Sequence, residues 1–301
     1  KTVNGYTVSI SDPSYTEADF TFSGNATVKG TDAGSYDMQL KVSDFKNINP
    51  SYKKVTFVIV DGKLTIDKRK VTLTSADAEK VYDGTALTNA EVIVGGDGFA
   101  DGEGATYNVT GSQTAVGNSV NTFAYTLNAN TKADNYTISK TEGSLTVTPV
   151  ADKVTVTITE NSGKYTYDST EKSVTDYTVS IDNALYTEAD FTFSGNATVK
   201  GTDAGIYDME IKATDFINTN ANFTNVEFKV VDGTLEIAKK KVNLYTADAT
   251  KVYDGTALMC SLVHGTEDFA EGEGVSCDVT GSQTAVGSSA NTFTYILKEG
   301  T

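Results

Sequence analysis

Two acidic, glycine-rich stretches carry the residue types that come nearest to metal-binding chemistry in this sequence. One runs from Gly95 to Gly104 and the other from Glu267 to Gly274. Their candidate calcium ligands are Asp97, Asp101, Glu103, Asp268, Glu271 and Glu273. Closely spaced carboxylates supply the oxygen ligands that Ca²⁺ prefers. Because the spacing fits no named calcium loop, we favour solvated acidic turns and expect no cofactor, with calcium as the alternative.

The two cysteines, Cys260 and Cys277, could support a second kind of chemistry. They stand 17 positions apart across a predicted hairpin, a pattern typical of a disulfide. Closing so short a loop would stabilise the fold by ~3 kcal/mol in the chain-entropy account. Two free thiols are an equal alternative, because the sequence contains no geometry for the pair.

Catalytic chemistry has little material in the chain, which contains one histidine, His264, and no tryptophan. No nucleophile stands beside a base, and the run from Gly102 to Gly104 lacks the strand-to-helix context of a phosphate loop. We therefore predict that the protein is not an enzyme. A formal charge of −16 disfavours nucleic acid and anionic membrane surfaces as partners, since both demand lysine and arginine.

The residues that recur most closely form a turn motif. The eight residues from Lys80 to Leu87 return unchanged from Lys251 to Leu258. An aspartate followed by glycine favours a tight turn, because the carboxylate binds nearby backbone and glycine accepts positive φ, while the preceding tyrosine can anchor a strand end in the core. The motif residues are Tyr82, Asp83, Gly84, Tyr253, Asp254, Gly255 and, in a looser copy, Tyr167 and Asp168. We interpret the motif as structural, with a ligand-binding loop as the alternative.

These motifs belong to a long internal repeat. At a shift of 171 residues, 29 of the 37 residues from Tyr6 to Val42 are identical. A fainter repeat of about 85 residues divides each half again, which predicts modules of two kinds in the order A, B, A, B. The predicted boundaries are 1–68 for the first A module, 69–150 for the first B module, 151–239 for the second A module and 240–301 for the second B module.

The two end modules are predicted to be incomplete. The first A module has no counterpart of residues 154–170, and the second B module has none of residues 133–149. Because unpaired strand edges recruit strands, we expect a monomeric rod with end-to-end strand pairing as an alternative. No apolar run reaches the ~18 residues that span a bilayer, and no signal-peptide pattern follows Lys1, so we expect a mature segment without membrane insertion.

The elements that must position these residues are predicted to be strands nearly throughout. Val154, Val156 and Ile158 alternate with threonines, and the same period of two recurs in the other modules. Short strands with one apolar face must bury it against a second sheet. The predicted fold is all-β, with small antiparallel, immunoglobulin-like β-sandwich modules in an elongated array. A short helical turn at residues 15–19, with Thr16 as its cap, leaves a β-grasp-like A module as the alternative.

Taken together, the motifs resemble those of a known family of repeats. They are the Tyr-Asp-Gly motif after a lysine, the start of a strand at Ala33-Gly34-Ser35-Tyr36, the Asn135-Tyr136 pair and the ending Gly143-Ser-Leu-Thr-Val147. This set is similar to the YDG and MBG modules of large bacterial surface proteins, which are often adhesins described as mucus-binding. The resemblance covers nearly the whole chain. It implies an extracellular protein, wall-attached or secreted, whose repeats hold a distal binding region away from the cell.

Three functional interpretations follow. The first is a structural stalk, because folding alone explains most of the recurring residues. The second is that the modules themselves bind mucin glycans or a host surface protein, with calcium at the acidic loops; the lack of tryptophan weakens a sugar-stacking platform. The third, implied by the resemblance, is a Lys–Asn or Thr–Gln cross-link within a module. Its lysines would be Lys80, Lys164 or Lys251 and its asparagines Asn135 or Asn222, which must face one another beside a carboxylic acid.

Overall fold

The computed structural model describes all 301 residues of the chain. They form two compact units, residues 1–149 and residues 150–301, each of which holds one predicted A and one predicted B module. All regular structure is strand apart from short 3-10 turns. These turns span Glu17–Asp19, Val42–Asp44, Ala133–Asn135, Glu188–Asp190, Ala213–Asp215 and Thr266–Asp268. No helix in the chain has the length and apolar character needed to cross a membrane.

The strands of the first unit are short. Those of residues 1–68 are β1 (Thr2–Asn4), β2 (Phe20–Phe22), β3 (Thr27–Lys29), β4 (Gly34–Asp37), β5 (Phe45–Asn47) and β6 (Lys63–Ile66). Those of residues 69–150 are β7 (Arg69–Ser75), β8 (Ala78–Val81), β9 (Val92–Gly96), β10 (Ala105–Val109), β11 (Gly117–Asn121), β12 (Phe123–Leu127), β13 (Tyr136–Thr141) and β14 (Gly143–Thr148).

The second unit holds its strands mainly in its A module. Those of residues 151–239 are β15 (Val154–Glu160), β16 (Gly163–Thr166), β17 (Lys172–Thr175), β18 (Tyr177–Ile181), β19 (Phe191–Phe193), β20 (Thr198–Gly201), β21 (Gly205–Asp208), β22 (Phe216–Asn218), β23 (Val226–Val231) and β24 (Thr234–Ala238). Those of residues 240–301 are β25 (Tyr245–Thr246), β26 (Val263–His264), β27 (Val275–Val279) and β28 (Phe293–Leu297). Every strand pair joins strands within one of the four predicted ranges.

The prediction of tandem all-β modules is confirmed, but the pairing is not purely antiparallel. In the first B module, β7 lies between β9, which is antiparallel, and β13, which is parallel. In the same module, β14 lies between antiparallel β11 and parallel β8. The first and last stretches of the module therefore run side by side in the same direction and are shared between two sheets. Alternation within a strand predicts burial of one face but does not determine which distant strand lies beside it.

The second A module repeats this plan. β15 lies between antiparallel β18 and parallel β23, and β24 lies between antiparallel β21 and parallel β16. The inward side chains of β15, Val154, Val156 and Ile158, are fully buried. They alternate with more exposed threonines, which is the predicted period of two. This strand is therefore the centre of the module's core.

Aromatic rings fill the rest of the A-module core. Phe216 packs against Phe193 at 4.8 Å between ring centroids and against Phe228 at 5.5 Å. Aromatic edge-to-face and offset contacts of this kind stabilise the core beyond the apolar area that the rings bury.

The predicted turn at residues 15–19 is the 3-10 turn Glu17–Asp19, where the Asp19 carboxylate accepts the backbone N–H of Thr16 at 2.6 Å. At three residues it is too short to form the helix of a β-grasp fold.

Candidate functional site

The Tyr-Asp-Gly turn of the first B module lies on the surface, and its polar side chains form hydrogen bonds with one another and with the backbone of the turn. One carboxylate oxygen of Asp83 accepts the backbone N–H of Thr85 at 2.9 Å, the Thr85 hydroxyl at 2.8 Å and the Lys80 ammonium at 2.6 Å. Lys80 also donates to the backbone carbonyl of Thr85 at 2.7 Å. Gly84 has a φ of +78°, a conformation that glycine adopts without strain. The motif therefore folds into an Asx turn, and Lys80 closes this turn by binding both Asp83 and Thr85.

The second B module repeats the turn with one difference in packing. Asp254 accepts the backbone N–H of Thr256 at 3.0 Å and the Lys251 ammonium at 2.9 Å, and Gly255 has a φ of +79°. Tyr253, however, is 64% exposed, so its ring does not anchor the core. In the first B module the backbone N–H of the matching tyrosine, Tyr82, donates to the backbone carbonyl of Thr148 at the end of β14.

The A-module copy of the turn has the same set of hydrogen bonds but uses a different lysine. Asp168 accepts the backbone N–H of Thr170 at 3.0 Å, and its second oxygen accepts the ammonium of Lys172 at 2.6 Å. Lys164, which aligns with the motif lysine, instead pairs with Glu236 at 2.8 Å. Ser169 takes the glycine position with a φ of +65°, a left-handed conformation that strains a residue with a side chain.

The lysine in each turn stabilises the charged form of the aspartate that it binds. The hydrogen bond from Lys80 is the main reason that the pKa of Asp83 lies well below its usual range, and Lys251 does the same for Asp254. Lys172 lowers the pKa of Asp168 in the same way. The aspartate and the lysine both form their hydrogen bonds within the turn, so these contacts serve to organise the local backbone.

Two of the predicted calcium ligands in the first acidic loop accept hydrogen bonds within their own module. The Asp97 carboxylate accepts the backbone N–H of Lys70 at 2.8 Å, and Glu103 accepts the hydroxyl of Tyr136 at 2.6 Å. Asp101 is exposed in the turn between them. The Glu103 contact and burial together raise the pKa of Tyr136, with burial the larger cause.

The second acidic loop contacts the second A module. Glu273 accepts the hydroxyl of Tyr167, which raises the pKa of that tyrosine to about 12. Asp268 ends a 3-10 turn, and Glu271 is exposed. No group of three or more histidine, cysteine, aspartate or glutamate side chains in the chain is placed to hold a metal ion. Calcium at these loops stays a prediction.

A polar cluster that the sequence did not identify as a site joins the first A and first B modules. The Asp32 carboxylate accepts the Lys132 ammonium at 2.8 Å and the Asn135 side-chain N–H at 3.0 Å. The side-chain oxygen of Asn135 in turn accepts the backbone N–H of Ala33 at 2.7 Å. These contacts cross about 100 positions of sequence, which is why no local pattern predicts them. The Asn135-Tyr136 pair and the cross-link hypothesis both single out Asn135 in the sequence, but neither predicts its contact with Asp32.

The cysteines and the cross-link candidates are also placed. Cys260 and Cys277 are free, half-buried thiols in the structure, and their pairing stays a prediction that a thiol count under denaturing conditions tests. Lys80 is held by Asp83, and Asn135 is held by Asp32, so these two residues are not brought together. His264 lies in β26 and stacks on Tyr245, with 5.1 Å between the ring centroids.

Comparison with known families gives one match. Residues 1–68 match the family model of the MBG domain, which confirms the resemblance to MBG- and YDG-type repeats for that part of the chain. The MBG domain is an adhesin-type family and not a family of enzymes. The match therefore indicates a repeat protein of the surface-adhesin type. No curated protein matches the chain.

Proposed function

We propose that these repeats act as a structural spacer in a bacterial surface adhesin and hold a distal binding region away from the cell. The protein would lie at the cell surface, either attached to the wall or secreted, as a monomeric rod. Three features support this: the near-identical modules, the polar turns whose groups bind one another, and the match of residues 1–68 to an adhesin-type domain.

The observation that carries the proposal is the Asp32 cluster between the first A and first B modules. A spacer transmits length only if successive modules cannot fold back on each other, so the junction must resist bending. Asp32 receives an ammonium from Lys132 and an amide N–H from Asn135, while Asn135 also binds the backbone of Ala33. Three bonds that converge from one module on a single turn of the other restrict rotation as well as separation.

The alternative, that the modules bind mucin glycans or a host protein themselves, is tested directly. The 301-residue chain is passed over immobilised mucin and a glycan array, with and without Ca²⁺. A spacer gives no saturable signal under either condition. Saturable binding that survives moderate salt would overturn the spacer role. If that binding needed Ca²⁺ and was lost in Glu103→Gln or Glu273→Gln, the acidic loops would be the site.

A further inference from the structure

The first B module and the second A module close in the same way. In the B module, β7 pairs in parallel with β13 over six residue pairs, and β8 pairs in parallel with β14 over four. In the A module, β15 pairs in parallel with β23 over six residue pairs, and β16 with β24 over four. The opening stretch of each module therefore runs beside its closing stretch, in the same direction, through both sheets. We call these two parallel strand pairs the seam of the module.

The direction of the seam determines how a pull on the chain acts on each module. The chain enters the B module at Arg69, beside Tyr136, and leaves it at Thr148, beside Val81. A pull on the two ends therefore draws β7 and β8 one way and β13 and β14 the other way, along the axes of the strands. The hydrogen bonds between parallel strands are evenly spaced, so this shear stretches many of them together. A pull that unzips the seam breaks them one after another.

The strands of the seam are also among the most deeply buried in the two modules. Val71 and Leu73 of β7 and Leu145 and Val147 of β14 are at most 2% exposed. The same is true in the second A module of Val154, Val156, Ile158, Leu235 and Ile237. Because water does not reach backbone groups beneath these side chains, a hydrogen bond that breaks there has no replacement at once. Sliding of the seam therefore separates hydrogen bonds and opens the core in one event.

Side chains fasten the seam of the B module where it crosses from one sheet to the other. The Ser75 hydroxyl accepts the backbone N–H of Gly143 at 2.9 Å. The Asp77 carboxylate accepts the backbone N–H of Ser144 at 2.6 Å. Both bonds join the opening stretch to the closing stretch, and the second is a charge-assisted bond of the stronger kind. They must break before the two stretches can slide.

The second A module has the same fastening, built from other residues. Glu160 accepts the backbone N–H of Gly233 at 2.7 Å, and the Ser162 hydroxyl accepts that of Thr234 at 3.1 Å. At a shift of 85 residues, Glu160 takes the place of Ser75 and Ser162 takes the place of Asp77. Unlike side chains therefore make equivalent bonds at the same two positions of the two kinds of module.

The recurring Tyr-Asp turn lies where the closing strand leaves the module. The backbone N–H of Tyr82 donates to the carbonyl of Thr148, the last residue of β14, at 2.8 Å. In the second A module, the backbone N–H of Tyr167 donates to the carbonyl of Ala238, the last residue of β24, at 2.9 Å. The lysine-bound aspartate that follows each tyrosine fixes the backbone beside this bond. The motif thus closes the exit end of the seam.

We propose that the first B module and the second A module are mechanical clamps, which resist a pull on the ends of the chain because their seams are loaded in shear. The use of this resistance, which is to keep the repeats folded under tension, rests on the proposed spacer function. The resistance itself is a separate property of the fold. A chain that fails the pulling test below and still shows no binding to mucin remains a spacer, so the two proposals fail separately.

The test uses optical tweezers to pull the first B module of the 301-residue chain in two directions. Cys260→Ser and Cys277→Ser remove the native thiols, so that handles attach only at introduced cysteines. Lys68→Cys with Ala151→Cys loads the seam in shear, whereas Lys68→Cys with Asp134→Cys separates the adjoining starts of β7 and β13 and unzips it. All three attachment positions are exposed. The unfolding force should be several-fold higher in shear at the same loading rate, and equal forces in the two directions would overturn the proposal.

A matched pair of substitutions tests the fastening at the crossing. Asp77→Ala removes the bond to Ser144 and should lower the shear force, but leave the unzipping force unchanged, because unzipping starts at the other end of β7. Glu79→Ala, on an exposed position of β8, should change neither force. Forced unfolding reports the rate of unfolding in the direction of the pull, so a uniform loss of stability would not separate the two directions. An equal fall of both forces in Asp77→Ala would overturn the role of the fastening.

Discussion

The carboxylate of Asp32 and the ammonium of Lys132 lie 2.8 Å apart and join two modules across 100 positions of sequence. Asn135 donates a second N–H to the same carboxylate at 3.0 Å, so one side chain of the A module receives two donors from the B module. The matching position in the second A module is Asp203, which offers a matched substitution within the same chain.

We predict that Asp32→Ala loosens the first junction selectively. Residues 68–70 and residues 239–241 are exposed basic runs at the two A–B junctions, and trypsin cuts after lysine and arginine. Cleavage at 68–70 should accelerate several-fold in the variant, because cleavage of a locally opened segment follows the population of the open state. Cleavage at 239–241 should not change. Mass spectrometry of timed digests measures both rates.

The matched control is Asp203→Ala, which should leave both cleavage rates as they are in the unmodified chain. If Asp32→Ala did not accelerate cleavage at 68–70, the Asp32 cluster would not hold the junction, and the spacer proposal would lose its main support.

Much of the fold could be predicted because alternation is a local property. The strand at Val154 to Ile158 follows from residue types alone. The parallel pairing of β15 with β23 could not be predicted, because it joins stretches about 70 residues apart and depends on how the whole module closes. Glu160 shows the same limit. It ends an apolar strand, and only its distant partners Ile211 and Gly233 explain its burial.

The candidate sites divide along the same line. The turn at Asp83 and Gly84 was predictable, since its bonds lie within five residues. The use of Lys172 in place of Lys164 was not, because a flexible side chain on either side of the turn can reach Asp168. The sequence predicts solvated acidic turns, with calcium sites as the alternative, and neither interpretation includes the tyrosines from other parts of the chain that bind Glu103 and Glu273.

The aspartate–lysine contacts of the three turns should make the stability of the fold depend on pH in the acid range. Asp83, Asp168 and Asp254 all have a pKa depressed by a lysine hydrogen bond in the folded state. A carboxyl group with a depressed folded pKa adds stability that is complete above its unfolded pKa of about 3.9. That stability is lost as the pH falls through the folded pKa. The melting temperature should therefore be level near neutral pH and fall below about pH 4.

A substitution isolates the lysine's part in this behaviour. Lys172→Met should raise the pKa of Asp168 towards its ordinary value, as measured by carboxyl ¹³C NMR. Lys164→Met is the matched control and should leave that pKa unchanged, because Lys164 pairs with Glu236. Equal shifts in the two variants would show that general charge and not the direct hydrogen bond sets the pKa.

The third position of the turn motif should respond to substitution in opposite directions in two modules. Ser169→Gly relieves a left-handed backbone and should stabilise the second A module by about 0.5 kcal/mol, after the entropy that glycine gains on unfolding. Gly255→Ser imposes the same conformation on serine at a φ of +79° and should cost about 1 kcal/mol. A Cβ at Gly255 meets no atom within 4 Å, so backbone strain alone is tested. Urea denaturation measures both changes, and like signs would contradict the interpretation.

Glu160 should be the most sensitive polar residue of the second A module. It is 4% exposed, and its carboxylate accepts two backbone N–H groups. Glu160→Gln turns one acceptor into a donor that faces an N–H, and we expect a loss of about 1.5–3 kcal/mol. Hydrogen exchange at the Ile211 and Gly233 amides should accelerate. Asp232→Asn is the control, because Asp232 is exposed in the turn before Gly233 and its loss should change stability by no more than about 0.5 kcal/mol. Similar losses in the two variants would mean that the buried carboxylate of Glu160 does not hold the crossing between the two sheets.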